Sequence, residues 1–139
     1  MSDQKNVSFF LRGNAEKKRE VIPYAPSKRF KDEEGKPVNF ILRLLSGTEL
    51  SKLQNDAVII DEGAADFDSE DFLATLMVKC VVYPNLKDAE LQDSYQVMNE
   101  KELLNAMLEG GEYQKLAAKC QEINGLRENI NELKVKAKN

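Results

Sequence analysis

Three carboxylates fall within six residues in the stretch NLKDAELQDSYQV (85–97): Asp88, Glu90 and Asp93, with Tyr95 close behind. Carboxylates brought together can divide the work of general acid and general base. The spacing argues against that here. A helix N-terminus carries about half a positive charge and a set of unpaired N–H groups. Asp88 stands where an N-cap is expected, and Glu90 falls in the first turn. Asp93 follows Asp88 by five residues, which turns it to another face. Leu91 and Tyr95, spaced i,i+4, share the side that would be buried. The stretch therefore reads as a short, capped helix over about 88–95 rather than as a catalytic pair.

A second acidic run, DEGAADFDSED (61–71), invites a calcium reading, because Asp66, Asp68 and Glu70 alternate as in an EF-hand loop. The sixth position would be Asp71, where the tight turn requires glycine, and the twelfth Met77, where a bidentate glutamate is required. The pattern fails at both, and a solvated loop is the expected outcome. The chain has no histidine. That removes the usual general base, the Ser-His and Cys-His nucleophile pairs and the commonest zinc ligand. Ser46, Ser51, Ser69 and Ser94 have no base to activate them. GTELSK (47–52) is not a phosphate-binding loop, and Gly110-Gly111 lacks the rest of a dinucleotide fingerprint. Lys79, inside an apolar helix, is expected to snorkel from its edge. The two cysteines, Cys80 and Cys120, each sit in a helical apolar pattern and are expected as buried free thiols. No catalytic residue, cofactor or metal site is assigned.

The elements that carry these residues follow from patterning. The 139 residues, 42% hydrophobic and 32% charged, suit one folded domain. Residues 1–20 read as an arm in which Ser8 opens one turn at SFFL (8–11) and leaves Phe9 and Phe10 without a core. Strands are expected at about 21–31 and 38–45, joined by an acidic turn containing Gly35 and Pro37. Ser46 and Glu49 have capping-box spacing and open a helix running to about Ile59. Asp68 or Ser69 caps a helix whose apolar face is Phe72, Leu73, Leu76, Met77, Cys80 and Val81, stopped by Tyr83-Pro84. Asn99 with Glu102 opens a further helix ending near Leu108. The last carries Tyr113, Leu116, Ala117, Cys120 and Ile123 on one stripe and ends at Gly125. The fold class is thus α+β, mainly α: an N-terminal β-hairpin packed on a small bundle of about five short helices. The expected organisation is an arm at 1–20, a globular domain at 21–125 and a C-terminal helical tail at 126–139. Leu126, Ile130 and Leu133 continue the apolar stripe of the last helix into that tail.

Net charge is −4, which argues against a nucleic-acid partner. The longest apolar run, Phe72 to Tyr83, is interrupted by Lys79 and is shorter than the roughly 20 residues that span a bilayer. The opening MSDQKN is polar and carries no secretory signal, so an intracellular setting without a membrane partner is expected.

The stretch from Val81 to Leu126, with PNL, DAELQDSY, ELLNAML, GEY and QEINGL in that order, resembles the XkdN-like phage tail assembly chaperones. SFFL and PYAPSKRFKDEEGKPVNFILRLLS extend the resemblance over nearly the whole chain. It implies a non-enzymatic part in building the tail of a phage or prophage-derived particle, in the cytoplasm of the bacterial host. The implied partners are the tape measure protein, which such chaperones coat before the tail tube protein polymerises around it, a longer frameshift product of the same gene, and further copies of the chain. The residues expected to meet a partner are Phe9, Phe10, Leu126, Ile130 and Leu133. A permanent structural component of the tail or particle is the alternative.

Overall fold

The structure, a computed structural model, describes residues 6–126. After a 3-10 turn at Val7–Phe10, the elements in chain order are β1 (Val21–Tyr24), β2 (Phe40–Arg43), α1 (Gly47–Asp56), β3 (Val58–Asp61), β4 (Ala64–Phe67), α2 (Ser69–Cys80), β5 (Val81–Tyr83), α3 (Ala89–Ser94), α4 (Glu100–Met107) and α5 (Gly110–Ile123). The α+β class holds. Strand is more prominent than one hairpin, however, and the added strands come from two stretches expected to be helix or loop.

The first is Val58–Phe67. The helix expected to reach Ile59 stops at Asp56, and β3 and β4 form an antiparallel hairpin where a helix end and a solvated loop were expected. Val58, Ile59 and Ile60 are β-branched and favour a pleated ribbon over a helix end. The two-residue turn is Glu62-Gly63, with φ of 49° and 82°. Only a primed turn has two positive φ values, and it matches the twist of the strands. The second is Val81–Tyr83. The chain leaves α2 at Cys80 and passes directly into β5, which pairs antiparallel with β2. The resulting sheet has the order β1-β2-β5. The first hairpin is shorter than expected: its ladder covers Val21–Tyr24 and Phe40–Arg43, with one further bridge between Lys31 and Pro37.

Phe40 and Leu42 point from the sheet into the core, where they meet Phe72, Leu76, Met77 and Cys80 of α2. Leu103, Leu104 and Met107 of α4 and Leu116, Ala117, Cys120 and Ile123 of α5 complete it. α2 is the central element, touching α1, α4, α5 and the sheet. Its Lys79 is exposed. Four helix starts follow their local signals. Ser46 and Glu49 form the capping box of α1, and Asp68, Asp88 and Asn99 each accept the N–H of the residue three ahead. α5 is opened by Glu109 and Glu112, a box without Ser or Thr. It ends in a Schellman motif: Gly125 has φ of +68°, its N–H reaches the Glu122 carbonyl at 3.1 Å, and Leu126 N–H reaches the Gln121 carbonyl at 2.9 Å.

Long-range polar contacts fix how the helices meet the extended segments. Arg43 donates from Nε to the Lys79 carbonyl at 2.9 Å and from both Nη atoms to Glu49 at 3.1 and 2.7 Å. Arg29 donates to the Met107 carbonyl at 2.6 Å and to Glu112 at 2.8 Å. Arg19 donates to the Ile123 carbonyl at 3.3 Å. Asn124 joins three elements: its Oδ1 accepts Leu45 N–H at 2.9 Å, and its Nδ2 donates to the Cys120 carbonyl at 2.9 Å and Cys80 Sγ at 3.4 Å.

Two predictions follow from these contacts. Asn124→Ala leaves the Leu45 N–H without its acceptor, and leaving such a group unsatisfied costs about 1–3 kcal/mol. The urea midpoint should fall accordingly, with an unchanged slope. The second concerns acid. The Arg43 hydrogen bond, then the Ser46 backbone, hold the Glu49 carboxyl at about 2; Arg29, then Ser27 and the Glu109 backbone, do the same for Glu112. With both values depressed in the folded state, the unfolded chain takes up these protons first as pH falls. Their stabilisation is complete above about pH 5 and is lost progressively toward about pH 2. Thermal midpoints measured across that window should fall less steeply for a Glu49→Gln, Glu112→Gln variant than for the parent chain.

Candidate partner-binding surfaces

Three carboxylates of the two acidic stretches are engaged by their own backbone. Asp88 accepts Leu91 N–H at 2.9 Å, Asp68 accepts Asp71 N–H at 3.1 Å, and Asp66 accepts Phe67 N–H at 2.8 Å. Asp93 is exposed on α3. Asp88 and Asp68 thus cap two helix starts, and Asp66 lies within β4. Lys101 Nζ, 2.9 Å from Asp71, ties α4 to the start of α2. Among the described residues no cluster of three or more cysteine or acidic side chains is arranged to hold a metal ion.

The two thiols, 40 positions apart in the sequence, meet in the core. Both are free and buried, at the C-terminal ends of α2 and α5. The hydrogen bond to Cys80, reinforced by burial, holds the Cys120 thiol well above the usual thiol range. The distance between the cysteines in the chain hid this contact.

The apolar features that reach solvent form three groups. The first is the arm. Asn6, rather than Ser8, caps the Val7–Phe10 turn by accepting Ser8 N–H at 3.0 Å. Asn14 closes it by donating to the Ser8 carbonyl at 2.8 Å. Phe9 is 59% and Phe10 79% exposed, so the turn presents two aromatic rings outward. The second is the outer face of the three-stranded sheet. Its register lines up Val21, Pro23, Ile41 and Tyr83 on the side away from the core. Tyr83 also borders a cleft of about 390 Å³ with Phe30, Pro84, Leu91 and Met107, and Arg29 stands at its wall. A cleft of this kind suits apolar side chains from a partner helix. The third is the β3–β4 hairpin, where Val58, Ile59 and Ile60 are all exposed.

Of the residues expected to meet a partner, Phe9 and Phe10 are displayed. Leu126 is only 5% exposed and packs in this chain's own core, as the hydrophobic contact of the Schellman motif. It therefore offers no surface to a partner. The one-stripe reading treated it as the start of a tail, whereas the Gly125 turn folds it back. Ile130 and Leu133 lie outside the described residues. Sequence reasoning missed the outer sheet face and the hairpin. β5 was read as the end of a helix, and Glu-Gly is a weak turn signal beside Asn-Gly or Asp-Gly.

Comparison with known proteins bears on what these surfaces serve. The family model for the phage XkdN-like tail assembly chaperone protein matches residues 7–138. An uncharacterized protein, YqbN, of Bacillus subtilis (strain 168) is 32% identical over 151 aligned positions covering all of both chains. The phage-like element PBSX protein XkdN of the same organism is 28% identical, over 96% of this chain and 94% of its own. A crystal structure of YqbN superimposes with a TM-score of 0.70 over 86% of this chain and 96% of that one. On this evidence of sequence and fold together, the chain belongs to the XkdN-like phage tail assembly chaperone family.

Proposed function

We propose that this chain is a non-catalytic holder for the tape measure protein while a phage or prophage tail is built in the bacterial cytoplasm. The observation that carries the reading is the exposure of Phe9 and Phe10 on a capped turn outside the core of a tail assembly chaperone. A tape measure protein is long and helical, and it presents apolar stripes until the tube protein encloses it. A holder needs apolar contacts of moderate strength, because polymerising tube must displace it. Phe9 and Phe10 form one contact, and Ile130 and Leu133 a second. The cleft beside Tyr83 is a third place where a helix can anchor. A longer frameshift product carrying the same domain, or a further copy of this chain, would multiply these contacts along the partner.

The reading is tested by co-expression with the long helix-rich protein encoded in the same gene cluster, followed by affinity capture and sizing. The two should co-purify, with the partner soluble only in this chain's presence. A Phe9→Ala, Phe10→Ala variant should reduce capture by about tenfold or more, since exposed aromatic anchors carry much of an interface's energy. Its thermal midpoint should match that of the parent chain, because neither ring packs in the core. Ile130→Ala with Leu133→Ala should weaken capture in the same assay. Unchanged capture in both variants would place the contact elsewhere. High copy number of this chain in purified particles would instead favour a permanent structural component.

A further inference from the structure

A two-stranded ribbon is marginal by itself in water, and neither edge of β3–β4 pairs with another strand among the described residues. Its two faces differ in chemistry. The register puts Val58, Ile60, Ala65 and Phe67 on one face and Ile59, Asp61, Ala64 and Asp66 on the other. The first is apolar. Its inner end is seated by Phe67 against Phe72, ring centroids 5.4 Å apart, while Ile60 farther out is 78% exposed. The second is acidic.

The two edges differ as well. The two-residue turn makes Asp61–Ala64 and Ile59–Asp66 the hydrogen-bonded pairs. The N–H and C=O of Val58 and Ile60 then point away from β4. On the opposite edge the Phe67 N–H is already taken by its neighbour Asp66. With both N–H and both C=O groups of Val58 and Ile60 turned outward, the β3 edge is the more open of the two. A strand fitting it must alternate strictly, with apolar side chains for one face and cations for the other.

LKVKAK, residues 133–138, has that pattern: Leu133, Val135 and Ala137 alternate with Lys134, Lys136 and Lys138. The spacing of three and four that links Leu126, Ile130 and Leu133 gives way at Leu133 to a spacing of two. We propose that residues 133–138 of this same chain dock along β3 as a third strand, extending the apolar face and setting three lysines over the acidic one.

Reach permits it. Glu70 and Tyr113, near the starts of α2 and α5, line one cleft, and Cys80 and Cys120 meet at their ends, so the two helices run parallel. Leu126 therefore lies about one length of α2 from the hairpin, on the order of 17 Å at 1.5 Å per residue. Residues 127–132 span roughly 20 Å when extended. The β3 edge of a second copy is the poorer occupant, since it would bring no cation to the acidic face. The inference concerns the free chain: Leu133 lies on β3 there, and a partner that takes Ile130 and Leu133 must first lift this strand from the hairpin.

The test is residue-resolved amide hydrogen exchange on the full chain at low salt, compared with a Lys134→Glu, Lys136→Glu, Lys138→Glu variant. Val58 and Ile60 amides should exchange about tenfold faster or more in the variant, with Leu76 and Leu116 in the core unchanged. Adding Asp61→Lys to that variant should restore protection. Equal exchange of Val58 and Ile60 in the parent and the triple variant would overturn the proposal. So would protection that fades on dilution of a chain sedimenting as a dimer, which would assign the strand to a second copy.

Discussion

A helix ends with carbonyls that have no partner within it, and in this chain arginines from the extended N-terminal half supply that partner. Arg43 reaches the end of α2, Arg29 the end of α4 and Arg19 the end of α5. Two of the three do more. Arg43 and Arg29 also bind Glu49 and Glu112, the acids that close the capping boxes of α1 and α5. One guanidinium thus ties the negative end of one helix to the start of another, where a carboxylate is already favoured. The planar fork presents separate donors to the two ends in a fixed geometry, which the single nitrogen of a lysine cannot reproduce. The short sheet is held to the helices by these ties as well as by Phe40 and Leu42.

Several of the polar side chains are committed to helix ends. The acidic clusters are capping devices, and the thiols are closed off in the core. Against the charged surface stand three apolar groups: the rings of the arm, the outer sheet face and the hairpin. That distribution suits a protein whose work is contact, and it agrees with membership of a tail assembly chaperone family.

Features written within four residues of sequence were legible. Ser46 with Glu49, Asn99 with Glu102, and Asp88 all announced helix starts that formed as read, because a cap depends only on its own turn. The stripe from Tyr113 to Ile123 was legible for the same reason. What was not legible depends on distance. The Arg19–Ile123 contact spans 104 positions, and no local pattern encodes it. The meeting of Cys80 and Cys120, the pairing of β5 with β2, and the folding-back of Leu126 are products of the packed state in the same way. The β3–β4 hairpin is an intermediate case. Its β-branched run was visible, but it directly followed a helix, and Glu62 in a left-handed conformation is not a residue from which a primed turn is read.

The Arg19 bond to Ile123 has a consequence for how the molecule can hold on to something long. It fixes the base of the arm beside the end of α5. A ligand gripped by the arm and by the body beside it would be held at two neighbouring points, the second closing at the high effective concentration set by a short tether. Each grip alone can be weak and quick to open, while the pair holds for far longer than either. Such a hold resists simple dilution yet yields readily to a competitor that takes the two points in turn, as an advancing polymer front does.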